Sequence, residues 1–221
     1  EVLTYEGTIC DARFSKCCGG ATERFDNTWE PVVHPYLDKI TDAPEDLETG
    51  DLRNEQTARK WILSFPPAFC HTTDRQILSQ VLNDYDQETH FFRWQVSYPA
   101  EQLSELVYRK IGIDFGTIRD IQPIERGVSG RLIRVKITGD KKTLVIGKEL
   151  IIRKTFSESH LYSSAFIVEK QDGIFTFHGA GWGHGVGLCQ IGAAVMGARG
   201  YNYKAILQHY FKGCELIKMY E

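Results

Sequence analysis

The chain has 221 residues, of which 42% are hydrophobic, 12% aromatic and 25% charged, with a formal net charge of −3. That balance excludes a disordered chain, a coiled coil and a collagen-like repeat. No run approaches the roughly 18 uninterrupted apolar residues of a membrane span, and the slightly acidic balance gives no general attraction to nucleic acid or an anionic bilayer. The chain opens at Glu1 without a leader-like segment, which reads as a processed product or a portion of something longer. Its six cysteines (Cys10, Cys17, Cys18, Cys70, Cys189 and Cys214) include no CxxC pair. A disulfide-stapled miniprotein, a zinc ribbon and a thioredoxin-type site are therefore not expected.

In chain order, residues 2–5 and 8–14 alternate apolar positions around Glu6-Gly7 and predict a β-hairpin. Paired glycines at Gly19 and Gly20 break that pattern. Residues 38–55 carry Asp38, Asp42, Glu45, Asp46, Glu48, Asp51 and Glu55 against Lys39 and Arg53, and read as a solvated surface excursion. Helices are predicted over 54–64 and over 74–86, the second capped by Thr73, with Ile77, Leu78, Val81 and Leu82 on one face. Residues 91–98 predict a strand. An amphipathic helix carrying Leu103, Leu106, Val107 and Ile111 follows Pro99 and stops at Gly112. Strands at 131–137 and 143–146 turn at Gly139-Asp140, and strands at 164–169 and 174–178 turn at Asp172-Gly173. The last helix is capped by Asn202, carries Tyr203, Ile206, Leu207, Tyr210 and Phe211 on one face, and ends at Gly213. Strands and helices are interspersed without βαβ alternation, so the expected class is α+β, with a mixed or antiparallel β-rich core and peripheral and C-terminal helices.

The most unusual stretch is 178–194, where every second position from Gly179 to Gly187 is glycine. In an extended chain this spacing leaves one face bare, free to accept a flat ligand such as a sugar ring, or another backbone. It is neither a dinucleotide fingerprint, because the third glycine of GxGxxG falls on Val186 or Leu188, nor a phosphate loop, because no Gly-Lys-Ser/Thr follows. His184 within it could bond a ligand or move a proton at neutral pH, or be a satisfied structural residue. The Cys17-Cys18 pair and Cys189 read as buried inert thiols, since their spacing matches no known zinc-ligand pattern.

The segment GWGHGVGLCQIGA (181–193), followed by GYNYKAILQHYFKG (200–213), closely resembles the C-terminal signature of the stage II sporulation protein D family, which includes the amidase-enhancer proteins. VLTYEGTICDARFSKCCGGATE (2–23), SGRLIRVKITG (129–139), GKELIIR (147–153) and LYSSAFIV (161–168) match in the right order. The resemblance implies that residues 1–221 are the C-terminal portion of such a domain, with an atypical acidic and helical insertion at about 40–90. It further implies action on bacterial peptidoglycan by lytic transglycosylation of peptide-free glycan strands. In that reaction a carboxylic acid protonates the glycosidic oxygen and the C6 hydroxyl closes onto C1, leaving a 1,6-anhydro end. The family's catalytic glutamate and its His and Cys zinc cluster lie upstream of the segment matched at Val2, so neither acid, metal nor cofactor is carried over. Cys17, Cys18 and Cys189 stand where relatives usually have small hydroxyl residues.

The expected glycan-groove residues are Ser15, Gly19, Gly20 and Glu23, facing Gly183, His184, Gly185 and Gln190. Glu23 is read either as a substitute acid or as a surface or capping group. The leading expectation is the groove of a peptidoglycan lytic transglycosylase in the periplasm or cell envelope, with glycan strands and a cell-wall amidase as partners. The alternatives are a non-catalytic glycan-binding or amidase-enhancing module, and a thiol- or metal-dependent hydrolase using Cys189 or Cys18 with His184.

Overall fold

The computed structural model describes residues 1–82 and 90–220. Strand β1 (Val2–Tyr5) turns back through Glu6 and Gly7, both at positive φ, into β2 (Thr8–Ile9). The second arm is shorter than 8–14. By β3 (Phe14–Ser15) the chain has left β1 and pairs in parallel with a strand from the far end of the sequence. Helix α1 (Phe25–Thr28) follows. The acidic excursion leads into α2 (Glu55–Leu63), whose Asn54 side chain accepts from the N–H groups of Gln56 and Thr57. Helix α3 (Arg75–Val81) starts one residue later than expected, because Asp74 rather than Thr73 accepts from the Gln76 N–H at 2.9 Å. It stops at Leu82, which is extended, and the remainder of the expected helix falls outside the described residues.

Strand β4 (Arg93–Pro99) runs into α4 (Ala100–Ile111), closed by Gly112 at φ +70°. Strands β5 (Ile118–Arg126), β6 (Leu132–Gly139) and β7 (Thr143–Ile146) form an antiparallel sheet in that order. After α5 (Glu149–Thr155), β8 (Phe166–Gln171) and β9 (Ile174–Ala180) make a hairpin through Asp172 and Gly173, again both at positive φ. β9 sits between β4 and β8 in a second antiparallel sheet. Short β10 (Leu188–Cys189) is the partner of β3. Helices α6 (Gln190–Ala198) and α7 (Tyr203–Tyr210) follow, the latter capped by Asn202, and β11 (Glu215–Ile217) returns to pair with β1. The class is α+β.

Two large cores result. The first gathers Cys18, Phe25, Leu37, Phe69, Val186, Ile191 and Tyr210 beneath α3, α6 and α7. The second gathers Leu103, Val107, Val135, Ile152, Phe166 and Phe177 between the two antiparallel sheets, α4 and α5. A smaller cluster of Leu52, Trp61, Ile62, Ile167 and Ala180 lies under α2. The acidic excursion is solvated with one exception. Six of its carboxylates are exposed, but Asp42 is fully buried, with Oδ1 accepting from the Tyr210 hydroxyl at 2.6 Å and Oδ2 from the Cys70 N–H at 3.0 Å.

Candidate functional site

The glycine run is not an extended strand. β9 ends at Ala180, and then Gly181, Gly183, Gly185 and Gly187 all take positive φ, between +72° and +100°, while the residues between them do not. Only glycine adopts such a backbone without strain at four alternate positions. The bare side is covered by the protein itself. Cys17 and Trp182 exchange backbone hydrogen bonds at 3.0 and 2.7 Å, the Leu188 N–H donates to the Arg13 carbonyl, and the Glu23 N–H donates to the Gly185 carbonyl. A Cβ on Gly187 would overlap the Arg13 carbonyl, one on Gly181 would come within 2.7 Å of the Cys17 carbonyl, and one on Gly185 would overlap the Arg131 guanidinium. Of the two occupants expected for that face, the structure places the second there: another stretch of backbone, together with a buried arginine.

Arg131 is 2% exposed and bonds the carbonyls of Gly183 and Cys18 and the Ser129 hydroxyl. That hydroxyl in turn donates to Glu23 Oε2 at 2.6 Å. Glu23 is 1% exposed and accepts four further hydrogen bonds, from the N–H groups of Arg24, Val128 and Ser129 and from the Asn27 amide. A carboxylate so occupied is a capping and counter-charge group for the 127–131 loop. Ser15 is also buried, its hydroxyl without a hydrogen-bond partner among the described residues. Gly19 packs on the Gly181 backbone, and Gly20 lies under the Trp61 ring. Gln190 opens α6, half-buried.

His184 lies half-buried in the run with its ring edge against Trp29, centroids 4.8 Å apart. Its Nδ1 accepts from the Val186 N–H at 3.0 Å. Burial first, then the positive charges of Arg131 and Arg153, push its pKa down to about 4. The ring is therefore neutral at physiological pH, with Nδ1 already occupied by the Val186 N–H.

The open surface lies to one side of these residues. Trp182 is half-buried, with Lys16 Nζ 4.0 Å from its ring and Tyr162 edge-on at 5.2 Å. Tyr162 continues to Trp94 at 5.6 Å. Both border a cleft of about 670 Å³ whose walls include Phe65, His90, Gln95 and His178. No Asp or Glu lines it among the described residues. Glu169, beside it, pairs with Arg59 and lies 3.4 Å from His178 Nε2. Arg59 holds the Glu169 carboxyl below the usual range, the opposite of what a general acid needs.

A separate cluster joins Cys18 and Cys189, two of the cysteines weighed as metal ligands from the sequence, to Cys70 and Asp42, which were not. Cys18, Asp42, Cys70 and Cys189 bring three thiols and a carboxylate within 4.8 Å of one another, all fully buried. Burial drives the Cys18 and Cys70 thiols well up and Asp42 up to about 7. Four donors drawn from four distant stretches leave no local spacing to read, and Asp42 was hidden among surface acids.

With this geometry in view, the protein can be placed. A family model described as "Domain of unknown function (DUF8618)" matches residues 23–187, and the chain belongs to that family. It is also similar to three curated proteins over 98% of its own length. These are the amidase enhancer of Bacillus subtilis strain 168 at 26% identity, stage II sporulation protein D of Bacillus amyloliquefaciens at 33%, and an uncharacterized protein of Brachyspira hyodysenteriae at 34%. The aligned part makes up 31%, 47% and 46% of those proteins respectively, so the chain spans a third to a half of the relatives it matches. The expected kinship with sporulation protein D and the amidase enhancers thus holds at the level of homology.

Proposed function

We propose that this chain is the glycan-facing part of a protein that remodels the bacterial cell wall, and that it holds peptidoglycan strands along the cleft between Phe65 and Tyr162 and over the neighbouring Trp182. The carrying observation is the aromatic series Trp94–Tyr162–Trp182, whose first two members line a cleft edged by Gln95, His90 and His178. Sugar rings offer an apolar face to aromatic side chains and hydroxyls to surrounding polar groups, and a shallow cleft of this composition suits them. The names of two relatives, amidase enhancer and stage II sporulation protein D, support a role at the cell wall and a cell-wall amidase as partner.

The chemistry we assign to the full-length protein is lytic transglycosylation, with the acid supplied from outside this chain. Glu23 is enclosed and Glu169 is held ionised, so neither carries the acid role. The same two facts favour a second reading, in which this chain binds glycan and enhances an amidase without cleaving. Either reading places the protein in the periplasm or cell envelope, where its substrate lies.

The test incubates full-length protein with peptide-free glycan strands, following retention by co-sedimentation and products by mass spectrometry. Retention that falls at least fivefold in Trp182→Ala and Tyr162→Ala, at unchanged melting temperature, is the expected result. Products with 1,6-anhydro ends assign transglycosylation, and retention without products assigns the enhancer reading. Failure of the wild type to retain glycan would sink both.

A further inference from the structure

The geometry points to a structural zinc site, formed by the Cys18, Cys70 and Cys189 thiolates and the Asp42 carboxylate, that ties together four distant segments of the first core. Cys18 follows β3, Asp42 sits in the acidic stretch, Cys70 follows α2, and Cys189 ends β10. Their donor atoms all lie within 4.8 Å of one another, and Cys18 Sγ and Cys70 Sγ are 3.7 Å apart. Zinc–sulfur bonds of about 2.3 Å in a tetrahedron put neighbouring sulfurs about 3.8 Å apart, so the Cys18–Cys70 pair already stands at the required separation.

The surroundings are those of ligands held in place. The Cys18 N–H donates to Cys189 Sγ at 3.2 Å, and the Cys70 N–H and the Tyr210 hydroxyl each donate to one oxygen of Asp42. Such bonds orient donors toward a metal. His209 Nε2, 3.9 Å from Asp42 Oδ1, is buried with no hydrogen-bond partner among the described residues. It adds a polar atom next to the carboxylate for which the fold provides no partner. Arg93 is half-buried nearby, bonded to the Gly19 carbonyl, and its positive charge offsets that of a zinc bound by four anions. A closed set of three soft thiolates and one carboxylate selects zinc over calcium or magnesium, which take all-oxygen sets. Cys17 also reaches Cys70 and Cys189, so it is the competing fourth donor.

The site leaves no position open to substrate, and its role is to hold the fold. Because the donors come together only in the folded chain, the energy of metal binding is folding energy. This inference is independent of the glycan proposal and is tested separately.

The 221-residue chain, which contains all four donors, purified under reducing conditions without chelator is expected to carry about one zinc per chain by elemental mass spectrometry. Exchange for cobalt is expected to give a thiolate charge-transfer band and intense visible bands of tetrahedral cobalt. Cys70→Ser and Asp42→Asn should lower the metal content at least tenfold, while Cys10→Ser, outside the cluster, leaves it unchanged. The cobalt spectrum of the wild type keeps the test decisive even where a variant does not fold. Protein that stays metal-free after refolding with zinc and reductant would overturn the site, as would a mapped Cys18–Cys70 disulfide in the native protein. Loss of the cobalt spectrum in Cys17→Ser, with retention in Asp42→Asn, would overturn Asp42 as the fourth ligand.

Discussion

Gly185 and Gly112 both take positive φ, at +77° and +70°, yet they differ in what surrounds them. A Cβ on Gly112 meets nothing within 4 Å, so Gly112→Ala should cost only the left-handed strain of about 1–2 kcal/mol. On Gly185 the same methyl overlaps the Arg131 guanidinium and must dislodge a buried charge. Gly185→Ala is therefore expected to cost roughly 3–5 kcal/mol, the range for breaking a buried charged network. Chemical denaturation of the two variants compares them, and equal losses would refute the account of Arg131 as the group that requires this glycine. His184 makes a pH prediction. Its unfolded imidazole protonates near 6.5, and its folded one only near 4. Above pH 6.5 both states are neutral and the contribution is complete. As pH falls from 6.5 to 4 the unfolded state takes the proton first, and stability on the order of 3 kcal/mol is lost. In His184→Asn, which keeps an acceptor for the Val186 N–H, that part of the pH dependence should vanish. If the slopes of wild type and variant coincide between pH 6.5 and 4, the buried neutral ring is the wrong description.

At the scale of elements, caps decide where helices begin. Asp74, not Thr73, accepts from the first turn of α3, so Asp74→Ala should cost about 1 kcal/mol and Thr73→Ala less than about 0.5. Urea denaturation of the pair checks this, and reversed magnitudes would move the cap back to Thr73. The elements legible in the sequence were those whose signals are local. Asn202 caps α7, Gly112 closes α4, and Asp172-Gly173 turns β8 into β9, each within a few residues of the signal. The glycine run was legible as a bare surface but not in its conformation. The alternating positive φ values depend on Arg13–Cys18 and Arg131 arriving from far along the chain. Glu23 stood out as the carboxylate beside paired glycines, and what it bonds comes from residues 127–129, about a hundred positions away. For the same reason the cluster at Cys18, Asp42, Cys70 and Cys189 left no spacing to recognise.

At the scale of the molecule, the two large cores meet along the glycine run. Val186 belongs to the first core, while β9, which leads into the run, lines the second. Arg131, just before β6 of the second core, reaches across to the carbonyls of Cys18 and Gly183 and, through Ser129, to Glu23. These bonds cross the seam in a buried setting, where losing one partner leaves the others unsatisfied at a cost of about 3–5 kcal/mol. The wild type should therefore unfold in one cooperative transition. Tryptophan fluorescence and far-ultraviolet circular dichroism should give the same midpoint, and the calorimetric and van't Hoff enthalpies should agree. Arg131→Met fills similar volume but removes the guanidinium bonds across the seam while leaving the hydrophobic contacts of each core in place. It is expected to lower the melting temperature and to make the calorimetric enthalpy exceed the van't Hoff enthalpy, as two cores unfolding separately would. If Arg131→Met still unfolds in a single transition with the two enthalpies equal, apolar packing alone couples the cores. The arginine would then matter only to the local shape of the glycine run.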